Sequence, residues 1–151
     1  MKILIIVPTL NSFNLLSKLV RSLEEQTFKN WRVIFVDGES SKSHKQWIED
    51  LCLKNEKFSF ISQSESKGIF GAMNNGIQES NKDEWVLFWG SDDWCPNPLT
   101  FELLVKNTDS NLKKNSKIDL VICKGRYFNV KNEQGRVSKF LPLSENITIN
   151  E

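Results

Sequence analysis

The sequence predicts an α/β fold, a mostly parallel twisted sheet flanked by helices. Apolar runs at Ile3 to Val7, Val33 to Val36 and Trp85 to Trp89 alternate with stretches of helical period, the pattern of strands joined by covering helices. The runs are continuous rather than alternating, as strands buried on both faces require. Each breaks off in polar or acidic residues: Pro8-Thr9-Leu10-Asn11, Asp37-Gly38-Glu39-Ser40-Ser41 and Gly90-Ser91-Asp92-Asp93. A parallel sheet gathers such ends on one edge, where open α/β sheets bind their ligands.

From the N-terminus, Ile3 to Val7 is the first strand. Leu15, Leu16, Leu19, Val20 and Leu23 then recur at the spacing of one amphipathic helix face, behind Asn11 or Ser12 as the N-cap. Val33 to Val36 is the second strand, Trp47, Ile48 and Leu51 mark a second helix, and Phe58 to Ile61 is a short third strand. Ile69, Phe70, Met73 and Ile77 predict a third helix that turns these residues inward. Trp85 to Trp89 reads as a central strand covered on both sides. Asn97-Pro98 supplies an N-cap with proline at the first helical position, and Leu99, Leu103 and Leu104 form the apolar stripe behind it. Ile118 to Cys123 reads as a further strand, and Gln134-Gly135 as a turn between two polar hairpin segments. No repeat, linker or low-complexity tract interrupts this order.

At 151 residues the expectation is a single domain over 1–151. A domain of that size typically buries about 70% of its unfolded surface and needs no disulfide or structural metal. Cys52, Cys95 and Cys123 make an odd count without C-x-x-C spacing, which fits idle thiols in a reducing compartment better than a disulfide framework. The apolar start stops at Pro8, far short of a signal-peptide core or a membrane span of about 20 residues, so the expected location is cytoplasmic. With 20 basic and 19 acidic residues the net charge is +1, which offers no global field for nucleic acid. Lys113, Lys114, Lys117, Lys124 and Arg126 read as a solvated face.

Several chemistries are excluded by what the strand ends lack. No G-x-G-x-x-G follows the first strand and no G-x-x-x-x-G-K-[ST] occurs, so neither a dinucleotide fingerprint nor a P-loop is present. His44 is the only histidine and there is no G-x-S-x-G elbow, which argues against a Ser/His/Asp hydrolase and a His-rich zinc site. Oxygen ligands remain. Mg²⁺ and Mn²⁺ are commonly held by one or two carboxylates, with phosphate and water oxygens completing the shell, and Asp92 and Asp93 suit that role. Asp92 and Asp37 each have a plainer reading as a cap for the turn or helix that follows.

Four ordered blocks make the reading more specific. Val7-Pro8-Thr9-Leu10-Asn11, Val36-Asp37-Gly38-Glu39-Ser40, Lys67-Gly68-Ile69-Phe70-Gly71-Ala72-Met73-Asn74-Asn75-Gly76-Ile77 and Gly90-Ser91-Asp92-Asp93-Trp94 resemble the successive signatures of family 2 glycosyltransferases. The resemblance covers roughly residues 1–105 and is strongest to bacterial members that build cell-surface polysaccharides; 106–151 would begin the acceptor side. It implies a GT-A fold that binds a nucleotide-diphosphate sugar with Mn²⁺ or Mg²⁺ and transfers the sugar with inversion to a glycan or lipid-linked acceptor. A lipid-linked acceptor in turn implies peripheral association with a membrane. By the same resemblance Thr9 and Asn11 line the nucleotide pocket, Asp37 hydrogen-bonds the nucleobase, Asn74 faces the ligand, Asp92 lies near ribose and metal, and Asp93 ligates the cation on the diphosphate. The oligomeric state is open, and an exposed sheet edge favours self-association.

The sequence also departs from the family pattern. Gly71 stands where relatives usually carry an aspartate that helps bind the nucleotide, and Phe70 replaces a common tyrosine. Inverting members use a carboxylate base that lies well beyond the metal aspartates. None of Glu102, Asp109, Asp119, Glu133, Glu145 or Glu151 stands in a matching context. The expectation is therefore a donor-binding portion without its base, from a fragment or a truncated relative. The alternative from another class is a non-catalytic module that binds nucleotide sugars. A nucleotidyltransferase fits less well, because Pro8 to Phe13 is neither glycine-rich nor basic.

Overall fold

The computed structural model describes residues 1–63 and 68–121, together with the backbone of 126–128 and 135–137. The elements run β1 (Lys2–Thr9), α1 (Phe13–Glu24), β2 (Trp31–Asp37), α2 (Lys42–Lys54), β3 (Phe58–Ser62), α3 (Gly68–Gln78), β4 (Glu84–Phe88), α4 (Thr100–Lys114), β5 (Arg126–Phe128) and β6 (Gly135–Val137). The first four strands form one sheet in the order β3-β2-β1-β4, every neighbouring pair parallel. An antiparallel hairpin is present as the pair β5 and β6, but Gly135, expected in its turn, is the first residue of β6 and stands opposite Phe128; Gln134 lies outside the described residues.

β1 is apolar throughout because both of its faces are covered. Ile3, Ile5 and Val7 share one cluster with Leu16, Leu19 and Leu23 of α1, Ile48 of α2 and Phe101 of α4. Leu4 and Ile6 share the other with Ile34, Val36 and Ala72 of α3. Each fully buried Leu or Ile contributes about 1.5–3 kcal/mol, so these strands carry the fold.

The two faces are packed by different means. α1 behaves as its spacing predicts except at Leu15, which is half exposed. Ser12 occupies the N-cap position without capping through its side chain. α3 departs further: its buried residues are Gly71, Ala72 and Gly76, while Ile69, Phe70 and Ile77 are exposed. The helix lies so near the sheet that a Cβ on Gly76 would stand 2.4 Å from Ile6 Cγ2. Close approach selected the small side of this helix, which an apolar count overlooks.

β4 also differs from its expected place. Among the described residues it pairs with β1 alone, at the end of the row, and Phe88 is 42% exposed. An apolar run reports that a strand is covered, not how many neighbours it has. α4 begins at Thr100, because the Asn97 side chain accepts the Leu99 N–H at 2.9 Å and so closes a turn ahead of the helix. Its buried residues are Phe101 and Thr108, with Leu99 and Leu103 about half exposed. Gln26, almost wholly buried, fixes that helix start by donating to the Asn97 carbonyl at 3.0 Å and accepting the Phe101 N–H at 3.0 Å. Residues 118–121 of the expected fifth strand belong to no strand, and Ile122 and Cys123 lie outside the described residues.

Cys95 is buried, and that burial pushes its thiol up to about 12; Cys52 is half-buried and also raised. Both are poor nucleophiles at neutral pH. Lys113, Lys114 and Lys117 are exposed, as a solvated face requires. Among the described residues no helix is long and apolar enough to cross a membrane.

One polar clamp ties the far edge together. Arg32 on β2 reaches across to Glu84 on β4 with two hydrogen bonds of 2.7 Å, and Asn81 gives Glu84 a backbone N–H at 2.8 Å. The guanidinium first, and Asn81 after it, hold the Glu84 carboxyl at about 2, against an ordinary 4.5. A carboxyl lowered by folding stabilises the native state above its unfolded value and loses that contribution as pH falls from 4.5 towards 2. Glu84→Gln is therefore expected to cost about 2 kcal/mol at neutral pH, after allowing for solvent around Arg32, and to flatten the acid limb of the stability curve. Urea titrations between pH 7 and pH 3 read both effects.

Candidate active site

The strand order reverses between β1 and β4: the chain builds outward through β2 and β3, then returns by α3 to the opposite side of β1. That reversal opens a crevice beyond the carboxyl ends of the two strands. A cleft of about 190 Å³ occupies it, lined by Pro8, Ile69, Met73, Phe88, Trp89 and the loop Gly90 to Asp92.

Asp92 lines this cleft and Asp93 follows it in the chain. Asp93 donates its backbone N–H to the Gly90 carbonyl at 3.2 Å, closing a tight turn directly after β4. Asp93 Oδ2 and Asp92 Oδ1 then lie 2.6 and 2.9 Å from the point where a Cβ on Gly90 would stand. Only glycine leaves that space to the two carboxylate oxygens. Burial, and next the charge of Asp92, push the Asp93 carboxyl up, against a hydrogen bond from the Gly90 backbone. No salt bridge reaches either acid among the described residues. Nor do those residues contain a cluster of three or more His, Cys, Asp or Glu able to hold a metal alone. Two converging hard oxygens without a counter-charge fit a divalent cation whose other ligands come from phosphate and water.

A second group of polar residues closes the adjacent ends of β1 and β2, where Thr9 and Asp37 are register partners. Both are buried. Thr9 Oγ1 lies 2.7 Å from Ser12 Oγ and 3.0 Å from His44 Nε2. Asp37 Oδ2 accepts the Ser40 N–H at 2.9 Å and has Lys45 Nζ at 3.6 Å; its Oδ1 has only His44 Nε2, at 3.7 Å, and accepts no hydrogen bond. Asn11 clasps this loop. Its backbone N–H donates to Ser40 Oγ at 2.8 Å, and its side-chain oxygen accepts the Ser41 N–H at 2.9 Å. Asn11 and Glu39 hold φ of 49° and 72°. A left-handed backbone is tolerated by Asn but costs a Glu about 1–2 kcal/mol, strain of the kind that gathers at ligand sites.

Of the residues expected at the site, Thr9, Asn11 and Asp37 thus form one cluster, and Asp92 and Asp93 another on the far side of β1. Asn74 is exposed on α3, one residue after Met73, and makes no hydrogen bond within the described residues. Gly71 faces the sheet. Among the acids beyond the pair, Glu102 accepts the Thr27 hydroxyl at 2.7 Å, just past the end of α1. The sequence offered His44 only as a reason to exclude other chemistries, Ser12 only as a helix cap, and Lys45 not at all. A lone polar residue in the first turn of a helix carries no signal that it will meet the end of a neighbouring strand.

Comparison with known proteins points to one family. The family model for glycosyl transferase family 2 matches residues 4–146. The chain is 33% identical over 93 residues to GalNAc(5)-diNAcBac-PP-undecaprenol beta-1,3-glucosyltransferase of Campylobacter jejuni, covering 61% of this chain and 30% of that protein. It is 26% identical over 117 residues to the Escherichia coli UDP-Glc:alpha-D-GlcNAc-diphosphoundecaprenol beta-1,3-glucosyltransferase WfgD, covering 76% and 45%. The crystal structure of S. aureus TarS 1–349 in complex with UDP superposes with a TM-score of 0.61 at 27% identity, over 77% of this chain and 33% of that one. The chain therefore spans less than half of each of these relatives. With the family match over nearly its whole length and the parallel sheet in place, the chain belongs to glycosyl transferase family 2 and has the GT-A fold.

Proposed function

We propose that this chain is the donor-binding part of a glycosyltransferase. The reaction would move a sugar from a nucleotide-diphosphate donor, with inversion, to a glycan or lipid-linked acceptor in surface polysaccharide or lipopolysaccharide assembly. The observation that carries the reading is the acid pair: in a family 2 chain, two carboxylates converge over Gly90, the residue that with Asp92 lines the switch-point cleft. Both named glucosyltransferase relatives act, by their names, on undecaprenol-linked substrates, which supports a lipid-linked acceptor and a place at the membrane surface.

The two clusters divide the donor between them. Asp93, with Asp92, would hold Mg²⁺ or Mn²⁺ at the diphosphate; the cation would neutralise charge on the departing nucleotide, an effect typically worth several kcal/mol. Asp92 would also orient the ribose. On the other side of β1, Thr9 and Asn11 would line the nucleotide pocket and Asp37 would hydrogen-bond the nucleobase. Asn74, exposed on α3, would contact the donor from the opposite wall.

Calorimetric titration with UDP, GDP and TDP, each with and without Mn²⁺, tests the reading. Binding of one nucleotide that requires the metal is the expected result. Absence of binding to all three would defeat it. Hydrolysis of the matching nucleotide sugar would then separate a catalytic donor site from a module that only binds.

A further inference from the structure

We propose that Ser22 is a positioning residue for the two carboxylates: from α1 its hydroxyl holds the backbone just past the acid turn, and so keeps Asp92 and Asp93 in the arrangement that receives a divalent cation. The inference rests on the reading above, in which these acids meet the metal.

Ser22 lies on the buried face of α1, with Leu19, Val20 and Leu23. Packing alone does not explain a serine there, since alanine is the better helix former and carries no polar atom to satisfy. The hydroxyl is fully used. It donates to the Leu19 carbonyl of its own helix at 2.8 Å and accepts the Cys95 N–H at 3.0 Å. Cys95 is buried, so water cannot stand in for that acceptor, and a buried N–H left without one is costly. Loss of the hydroxyl therefore obliges the chain to turn towards another acceptor, two residues after Asp93.

The acid turn is in this way held at both ends. At its entry the Trp89 N–H donates to the Ile6 carbonyl at 3.0 Å; at its exit Cys95 is fixed to Ser22. Between them the two carboxylate oxygens converge over Gly90. Lys18, one helical turn before Ser22, adds a second tie, with Nζ 3.2 Å from the centre of the Trp94 ring. Gln26 and Thr27 act farther on, holding Asn97, Pro98 and Phe101 at the start of α4. Among the described residues no salt bridge holds either acid, so the backbone sets where they stand. A ligand set displaced by more than about 0.5 Å loses its grip on a metal. By linkage, if the bond from Cys95 to Ser22 favours the cation-ready turn, the bound cation favours that bond by the same factor.

In calorimetry with UDP, GDP and TDP, each with Mn²⁺, Ser22→Ala should weaken the nucleotide that binds by about tenfold, as loss of a residue supporting metal ligands commonly does. Ser22→Thr keeps the hydroxyl, and Glu84→Gln loses stability at the far edge of the sheet; both should stay within about twofold of the parent. In the wild type, amide hydrogen exchange at Cys95 should slow about tenfold when that nucleotide and Mg²⁺ are bound, beyond any slowing at Phe101, whose N–H is held by Gln26. A merely structural serine would leave the Cys95 amide indifferent to the ligand. That indifference, unchanged affinity in Ser22→Ala, or an equal loss in Ser22→Thr or Glu84→Gln would overturn the proposal, while wild-type binding keeps the donor site. Failure of the wild type to bind any of the three nucleotides would remove the donor-site reading, and this proposal with it. Should Ser22→Ala not fold, the wild-type exchange rate with and without nucleotide decides alone.

Discussion

An Asp93→Asn protein is expected to fold as the parent does and to lose cation-assisted nucleotide binding. Removing one of two charged ligands from a site with no third acid should weaken metal-dependent binding by about a hundredfold, or about 3 kcal/mol. Stability should move the other way. A carboxyl held above its ordinary 3.8 by burial and by Asp92 opposes folding at neutral pH, because the folded state binds its proton more tightly than the unfolded chain does. Replacing it with a neutral isostere therefore leaves the melting temperature unchanged or slightly raises it. Calorimetry with and without metal, beside a thermal melt, separates this outcome from simple misfolding. Metal-dependent binding that survives the substitution would remove Asp93 from the site.

Gly76→Ala is expected to be among the most damaging small changes in the fold. Alanine is the better helix former by about 1 kcal/mol, so on propensity alone the substitution should stabilise α3. Contact decides otherwise. The new methyl would stand 2.4 Å from Ile6 Cγ2 and 3.0 Å from Ile6 Cδ1. Ile6 is wholly buried on a central strand, and its β-branched side chain has little freedom to rotate away. Overpacking of this kind costs about 1–3 kcal/mol, and here the upper end applies because the neighbour cannot yield. A net loss of about 2 kcal/mol should lower the melting temperature by about 4–8 °C. Ile6→Ala makes room for the methyl, so the double variant should be more stable than the sum of the single losses by about 1–2 kcal/mol. Additive effects in urea denaturation would show that α3 lies farther from β1. Because Ile69 and Met73 on α3 line the cleft, displacement of the helix should also weaken nucleotide binding.

Most of the architecture was legible because strands and amphipathic helices are written in short-range patterns. The run Ile3 to Val7, its helix of Leu16, Leu19 and Leu23, and the acid turn after β4 all follow from period, composition and punctuation. The misreadings share another cause. Ile69, Phe70 and Ile77 read as inward because they are large and apolar, yet the close approach of α3 to the sheet admits only Gly71, Ala72 and Gly76 on that side. Leu99 and Leu103 failed likewise, since α4 starts after the Asn97 turn and buries Phe101 in their place.

Local patterns along the chain specify the order of strands and helices, the parallel sheet that gathers three loops at one edge, the family signatures, and the candidate acids at the loop tips. These are consequences of neighbours along the chain, where hydrophobic period and turn chemistry act. Which of those tips meet is a matter of packing across the sheet. That packing aligned Thr9 with Asp37, drew His44 beneath both, left one carboxylate oxygen of Asp37 without a hydrogen bond, and folded Asp92 and Asp93 over Gly90. Those features depend on burial and on distances across the sheet, which no local pattern records: a polar residue in the first turn of a helix has the same sequence signature in water as against a buried carboxylate.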